Sequence, residues 1–348
     1  MPLALIPTDD SMIIPGITEE YARRGYEVVV GVRNFFLKLH HADLVHVQWP
    51  EELSGWRLPS SEKMDEIRRA VDWWSETCPL IVSVNNFYPH GFDHHPVMKG
   101  LYEIFYQRAS VILHYSEISR NMVLKEFPGS RGKANVVANY FCYDRLLSSK
   151  PDREKHRCEL GFSTEEFVVL VFGALRFRGE VELIQKAFRG ARVRGKRLLM
   201  AGRYVEETGK WLRRWRSLNL KLWLKSHRAL TVGGHIPDDE VHKYLEAADA
   251  IIVPRLKDMT SGLVGLGLTF GLPIIAPNHG AYPEYLQGTD NPLYQSGDAE
   301  ALAKAIEKAA MVDRERIYRQ NRQLAEAWSW KSLIDVGLSA LAPVHLNF

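Results

Sequence analysis

The amino-acid sequence predicts an α/β protein built from two Rossmann-like, doubly wound parallel-sheet domains with a cleft between them. Three observations carry that reading. Short apolar runs recur, separated by helix-length amphipathic stretches, which is the pattern of parallel strands joined by helical crossovers. A polar stretch at 148–166, SSKPDREKHRCELGFSTEE, divides those runs into two sets. At 348 residues the chain also exceeds the length at which one hydrophobic core keeps growing. Domains are therefore expected at 1–155 and 156–325, with a helical tail at 326–348 packing back across the domain junction.

The first set of runs is LALIP (3–7), EVVVGV (27–32), LVHVQW (44–49), LIVSVNN (80–86) and SVILHYS (110–116). SSEKMDEIRRAVDWWSE and HPVMKGLYEIFYQRA lie between them and carry apolar residues at helical spacing. In the second set, FVVLVFGAL (167–175), KRLLMAG (196–202), ALTVGG (229–234), DAIIVPR (249–255) and LPIIAP (272–277) alternate with helices such as DDEVHKYLEAA and DAEALAKAIEKAAM. The tail YRQNRQLAEAWSWKSLIDVGLSALAP continues in helical period. Ligands bind beyond the carboxyl ends of parallel strands, so the residues after each run are the candidates for function.

Composition excludes several classes. A 46% hydrophobic and 25% charged chain is ordinary globular material, neither disordered nor fibrous. Three cysteines (Cys78, Cys142, Cys158) without metal-ligand spacing point to no disulfide framework or zinc site, and to a reducing, cytoplasmic setting. No basic leader or long apolar span is visible, so neither export nor a membrane crossing is expected. A formal charge of +3 lacks the basic stripe of a nucleic-acid binder, and no nucleic-acid partner is expected.

The strand ends carry the chemistry. VHVQWPEE (45–52) brings Trp49 and Glu51 to a carboxyl edge, although alone it reads more simply as a strand end with a core tryptophan and a solvated glutamate. VNNFYPHGFDHH (84–95) places Asn85, Asn86 and His90 near a Pro-Gly turn, where loop polar groups bind acceptors and move protons. FGALRFRGE (172–180) offers Gly173, Arg176 and Arg178 beside a helix start, which suits a diphosphate; two solvent-exposed arginines are the bland alternative. PRLKDMTSGLVGLGLTFGLPIIAP (254–277) is the most informative stretch. Arg255 and Lys257, then Thr260 and Ser261, precede Gly262 at the start of a glycine-punctuated helix, an anion nest whose nearby cations would neutralise a departing nucleoside diphosphate. His235 and Ile236 in GGHIPDDEV and Glu284 in HGAYPEYL follow two further strands and are weaker candidates for base and ribose.

In order along the chain, LVHVQWPE, NNFYPH, FGALRF and PRLKDMTSGLVGLGLTFGLPIIAP with a trailing PEYL resemble the bacterial glycosyltransferases of GT-B fold. The group is the one marked by HWPE, HNLxPHE, FGxLRxYKG and SGxLLLALxxGxPVxAP, which includes xanthan-type β-mannosyltransferases of polysaccharide assembly. The resemblance spans roughly residues 43 to 300. It implies a nucleoside-diphosphate sugar as donor substrate, no cofactor and no metal. Donor contacts would come from the C-terminal domain at Gly173, Arg176, Arg178, His235, Lys257, Thr260, Ser261, Gly262 and Glu284. Acceptor contacts would come from Trp49, Asn85 and Asn86, and His90 or Glu51 would serve as base if the reaction inverts configuration. The acceptor would be a saccharide or lipid-linked saccharide of cell-surface polysaccharide synthesis.

The chain departs from the group at several positions. Asn85–Asn86 stand for HN, Gly91 follows His90 where the group has PHE, and Arg178, Gly179 and Glu180 stand where it has YKG, so the phosphate lysine is missing. The paired-glutamate EX7E spacing is absent too. These departures keep two alternatives open: a non-catalytic protein binding a sugar nucleotide or glycan, and an epimerase acting on the sugar nucleotide itself. KWLRRWRSLNLKLWLKSHR (210–228) reads as a crossover helix with tryptophans inward; its second reading, shared with FFLKLHH (35–41), is a peripheral contact at the inner face of the membrane.

Overall fold

A computed structural model of the chain describes residues 1–10, 13–38, 41–88, 92, 94–138, 143–203 and 229–341. The chain divides into two compact units. One comprises Met1–Phe141 and Trp328–Phe348, and the other Cys142–Ala327.

The first unit holds six parallel strands, β1 (Leu3–Ile6), β2 (Glu27–Val30), β3 (Leu44–Val47), β4 (Leu80–Ser83), β5 (Val111–His114) and β6 (Ala134–Val137), in the order β2-β1-β3-β4-β5-β6. Every residue of β3, β4 and β5 is buried, as expected of parallel strands covered on both faces by crossover helices. Those helices start where the sequence supplies caps: the Ser60 hydroxyl accepts from the Lys63 N–H (3.2 Å) and the Ser116 hydroxyl from the Ser119 N–H (3.0 Å). On the inner face of the Ser61–Thr77 helix, Trp74 is fully buried and its indole N–H donates to the Phe35 carbonyl at 2.9 Å. Phe35 itself packs against Trp74 and Phe105, so that part of FFLKLHH belongs to the core.

The second unit is built alike from β7 (Phe167–Phe172), β8 (Lys196–Gly202), β9 (Leu230–Gly233), β10 (Ala250–Ile252), β11 (Ile274–Pro277) and β12 (Leu293–Tyr294), ordered β12-β11-β10-β7-β8-β9 and parallel throughout. In each sheet the winding reverses once, between β1 and β3 in the first and between β7 and β10 in the second. The crevices beyond the carboxyl ends of those pairs are the places where such sheets receive ligands.

The expected boundary at 155/156 and the observed one at 141/142 differ by a segment whose charges and backbone are engaged in the second unit. The Tyr143 N–H donates to Thr269 Oγ1 at 2.9 Å, and Arg153 donates to the Ala248 carbonyl at 2.5 Å and to Asp249 Oδ1 at 2.6 Å. The Arg314–Ala327 helix also stays with the second unit, where Asn321 Nδ2 donates to the Leu272 carbonyl at 2.7 Å. Only the Trp330–Ser339 helix joins the first, packing on Ile14–Arg23 with the Trp330 ring where a Cβ on Gly16 would stand.

The glycines of the Gly262–Thr269 helix have packing reasons as well as the anion-binding reason drawn from the sequence. A Cβ on Gly267 would lie 2.4 Å from Ile274 Cγ1 and 3.0 Å from Ile251 Cγ2, so the helix seats against β10 and β11 only because that side chain is missing. Gly271, at φ +64°, makes the turn into β11. Gly267→Ala is expected to lower stability by about 1–3 kcal/mol through overpacking, read as a shift of the denaturant midpoint at unchanged slope.

Candidate functional site

At the β7/β10 reversal, two loops are locked together by charge. Arg255, three residues past β10, is buried and bridges to the loop after β7: its Nη1 donates to the Ala174 carbonyl and to Glu180 Oε1, both at 3.0 Å. Glu180 is fully buried, and its Oε2 accepts from the Arg176 N–H at 2.7 Å and the Phe177 N–H at 3.4 Å, closing the start of the Arg178–Gly190 helix. Asp258 completes the cluster. Its Oδ2 lies 2.7 Å from Arg176 Nη1 and 3.5 Å from Arg255 Nε. Burial, with the Arg255 charge second, lowers the Arg176 pKa, while Asp258 and Glu180 oppose the shift. The Arg176 side chain is about one-third exposed.

A third loop, after β11, joins the same edge. Gly280, at φ +54°, lies so close to the Asp258–Met259 backbone that a Cβ there would meet the Met259 carbonyl oxygen at 2.6 Å. His279 Nε2 donates to the Asp258 carbonyl at 3.2 Å, and burial holds its pKa below the usual imidazole value, so the neutral ring keeps Nδ1 as an acceptor. His279 Nδ1, Thr260 Oγ1 and Tyr282 OH are buried with no hydrogen-bond partner among the described residues. Unpaired buried polar atoms are uncommon, and these three lie on the neighbouring loops after β10 and β11. Ser261 caps the Gly262–Thr269 helix, its Oγ accepting from the Leu263 N–H at 3.4 Å, and the Tyr143 hydroxyl would lie 2.6 Å from a Cβ on Gly262.

Of the expected donor residues, Gly173, Arg176, Lys257, Thr260, Ser261 and Gly262 thus lie on the two loops of this reversal. Gly173 takes φ +80°, and its carbonyl approaches Gly202 to within 2.0 Å of where a Cβ would be, a contact open only to glycine. Lys257 is exposed. Arg178 is not part of the cluster: it lies on the helix surface, 65% exposed and paired with Glu182 one turn on. His235 is exposed after β9, and Glu284 is half-buried in the Tyr282–Tyr285 turn. Arg255, expected as a diphosphate cation beside Lys257, is instead engaged by Glu180 and the Ala174 carbonyl; Glu180, Asp258, His279 and Tyr282 were not among the expected site residues. Their signal was position alone, immediately past strands β7, β10 and β11.

In the first unit the β1/β3 reversal carries a second polar cluster. Glu52 is buried there, its Oε2 accepting from the Thr8 hydroxyl at 2.7 Å and its Oε1 from the Asp9 N–H at 2.8 Å; burial and the Asp9 and Asp10 charges raise its pKa. Glu51 departs from its expected role. It is fully buried, with Oε1 accepting from Asn86 Nδ2 and Oε2 from the Tyr102 hydroxyl, each at 2.8 Å. The short turn Pro50–Ser54 directs this carboxylate into the core, where it positions Asn86 and offers no oxygen to an acceptor. Asn85 donates to the Gln48 carbonyl at 2.8 Å, and Gln48 continues through His46 to Ser83 and Tyr21, a buried chain in which burial drives the His46 pKa down to about 3. Trp49 is half-buried, its ring centroid 5.8 Å from that of Trp56. His90 and the stretch 210–228 lie outside the described residues. Among the described residues no group of three or more His, Cys, Asp or Glu is placed to hold a metal ion, and no helix is long and apolar enough to cross a membrane.

The strand-edge cluster and the sheet order now meet independent comparisons. Residues 166–311 match the family model described as Glycosyl transferases group 1. That match covers β7 to the Ala299–Met311 helix, and so the whole β7/β10/β11 cluster. No curated protein sequence matches the chain. Among solved structures, sucrose-phosphate synthase from Thermosynechococcus elongatus superposes with a TM-score of 0.73 at 16% identity, covering 99% of this chain and 98% of that one. A glycosyltransferase from Rickettsia africae gives 0.71 at 14%, covering 99% and 98%. Anabaena HepE in complex with UDP and glucose gives 0.67 at 15%, covering 99% of both. The fold is GT-B, two Rossmann-like domains, and the resemblance to GT-B glycosyltransferases drawn from the motifs holds. The family match over residues 166–311 supports glycosyl transfer, and these neighbours support the fold.

Two outcomes check the geometry. Glu180→Gln leaves the buried Arg255 with only the more distant Asp258 carboxylate, which Arg176 shares, and is expected to cost about 3 kcal/mol of stability in urea unfolding. Burial raises the Glu51 pKa, so the folded chain holds that proton more tightly than the unfolded chain does. The stabilisation it contributes is complete in acid and is lost as pH rises through the folded value. Glu51→Gln, which cannot ionise, should therefore gain stability relative to the parent as pH rises above the ordinary carboxylate range, in parallel denaturation series.

Proposed function

We propose that this chain transfers a hexosyl group from a nucleoside-diphosphate sugar to a saccharide or lipid-linked saccharide acceptor, as a metal-independent step of cell-surface polysaccharide synthesis. One observation carries the proposal: at the β7/β10 reversal, Arg176, Lys257 and the capped start of the Gly262–Thr269 helix share a strand edge with the unpaired polar atoms of Thr260, His279 and Tyr282. A departing diphosphate needs fixed cations and N–H donors arranged before the bond breaks. Arg176 and the exposed Lys257 supply the cations, and the first helical turn supplies N–H groups with no intrahelical partner. Arg255 is assigned to structure, because Glu180 and the Ala174 carbonyl already engage it.

The acceptor hydroxyl is assigned to the first unit, near Trp49 and Asn86, with His90 taking its proton if configuration inverts. Glu51 is a positioning residue in this scheme. UDP-glucose is the donor to test first, since HepE is described in complex with UDP and with UDP-glucose. A lipid-linked acceptor would place the chain at the inner face of the membrane, with 210–228 as the contact to examine.

The same features favour a second reading in one respect. Both Glu51 oxygens are engaged and Arg176 is already paired with Asp258, which suits a protein that binds a sugar nucleotide without turnover. Release of UDP from UDP-glucose separates the two. The transferase reading expects slow hydrolysis without acceptor, reduced about tenfold or more in Arg176→Ala and changed less than about twofold in the surface variant Arg178→Ala. Saturable UDP binding with no release across UDP-, GDP-, ADP- and dTDP-sugars would leave the binding protein.

A further inference from the structure

The second unit also has a cavity on the edge of its sheet opposite to the reversal. It has a volume of about 510 Å³ and lies where β10 and β11 begin, between Arg153, Glu246, Pro273, Arg314 and Tyr318. That volume is in the range of small-molecule sites, about 300–1,000 Å³. Its wall is apolar, with Leu245 and Leu272 buried beneath it and Phe270 and Pro273 beside them. Tyr318, 52% exposed, lies across Gly271 so closely that a Cβ there would meet ring carbon Cδ2 at 2.2 Å. The φ of +64° at Gly271 and the missing side chain hold that aromatic face as one wall.

Charge is unbalanced at the same place. Asp249 is a single buried carboxylate that receives three guanidinium groups: Arg153 at 2.6 Å, Arg157 at 2.8 Å, and Arg314. Arg153 is committed further to the Glu246 and Ala248 carbonyls, at 3.0 and 2.5 Å, and Arg157 is buried. Arg314 engages Asp249 through Nη1, is more than half exposed and lines the cavity, with no second ion-pair partner among the described residues. The neighbouring acids are occupied. Glu246 Oε2 accepts from the Asp152 N–H at 3.0 Å and lies 3.4 Å from His156 Nε2, and Glu315, 87% exposed, faces Arg319.

We propose that this cavity is a second binding site, which takes a small amphipathic anion with its apolar body against Leu272, Phe270 and Tyr318 and its phosphate or carboxylate head on Arg314. An apolar wall favours a dry body, and an exposed guanidinium fork favours a planar or tetrahedral oxyanion. The site lies a full strand length from the donor cluster, so its occupancy does not depend on donor chemistry.

Isothermal titration of the full chain tests this with phenyl phosphate and benzoate as probes, and with inorganic phosphate and benzyl alcohol as the head and body alone. The expected result is saturable one-to-one binding of phenyl phosphate or benzoate, whichever head the fork prefers, at least about tenfold tighter than either fragment. Arg176→Ala should leave that binding unchanged, Arg314→Gln should weaken it about tenfold, and Arg314→Lys should recover part of the loss. Tyr318→Ser, which touches the wall without touching the Asp249 cluster, should weaken it as well and decides the matter should Arg314→Gln fail to fold. The proposal is overturned by absence of saturable binding of both amphipathic probes, by binding that Arg176→Ala abolishes, or by affinity indifferent to Tyr318→Ser or to a folded Arg314→Gln.

Discussion

The buried pair between Arg255 and Glu180 is the interaction on which the second unit's ligand edge depends. A charge taken out of water is tolerated only where it is matched and hydrogen-bonded, and here both partners are almost fully enclosed. The match has a structural consequence, because Arg255 follows β10 whereas Glu180 and Ala174 follow β7. One guanidinium therefore fixes the separation of the two loops at the sheet's reversal. Arg176 can be held at that edge, with its side chain partly in solvent, because the loop that carries it is pinned by Glu180 through the Arg176 N–H.

The first unit meets the same need with different chemistry. At its own reversal no buried arginine is found among the described residues, and the loops after β1, β3 and β4 are joined by the carboxylates of Glu51 and Glu52 accepting from hydroxyl, amide and backbone donors. Burial raises the pKa of both, whereas the other edge is held by a buried ion pair.

Much of this architecture could be read from residue order. Ten strands were legible as apolar runs because parallel strands covered on both faces cannot afford polar interruptions. β6 and β12 were not, and both are sheet edges: ANVV is only half-buried, and Leu293–Tyr294 spans two residues. The TSG opening of the Gly262–Thr269 helix was correctly placed at a strand edge, yet the packing of Gly267 against Ile274 and Ile251 was invisible because it depends on a neighbour brought close only by folding. Arg178 and Glu51 show the limit of motif reasoning, since side-chain direction decides function. A helix turn sends the first to solvent, and a short turn after Pro50 sends the second into the core. Glu180, which in sequence is only a departure from the group's YKG, faces Arg255, a partner seventy-five residues away in sequence.

The central claim is that the loops at 173–178 and 255–262 form a pyrophosphate cradle pinned by Arg255 and Glu180. The most direct measurement is a crystal structure of the chain grown with uridine diphosphate. The account predicts phosphate oxygens within hydrogen-bonding distance of the Arg176 guanidinium and the first N–H groups of the Gly262–Thr269 helix, with the Arg255–Glu180 pair intact. A diphosphate bound away from both loops, or seated there only after that pair has come apart, would contradict it.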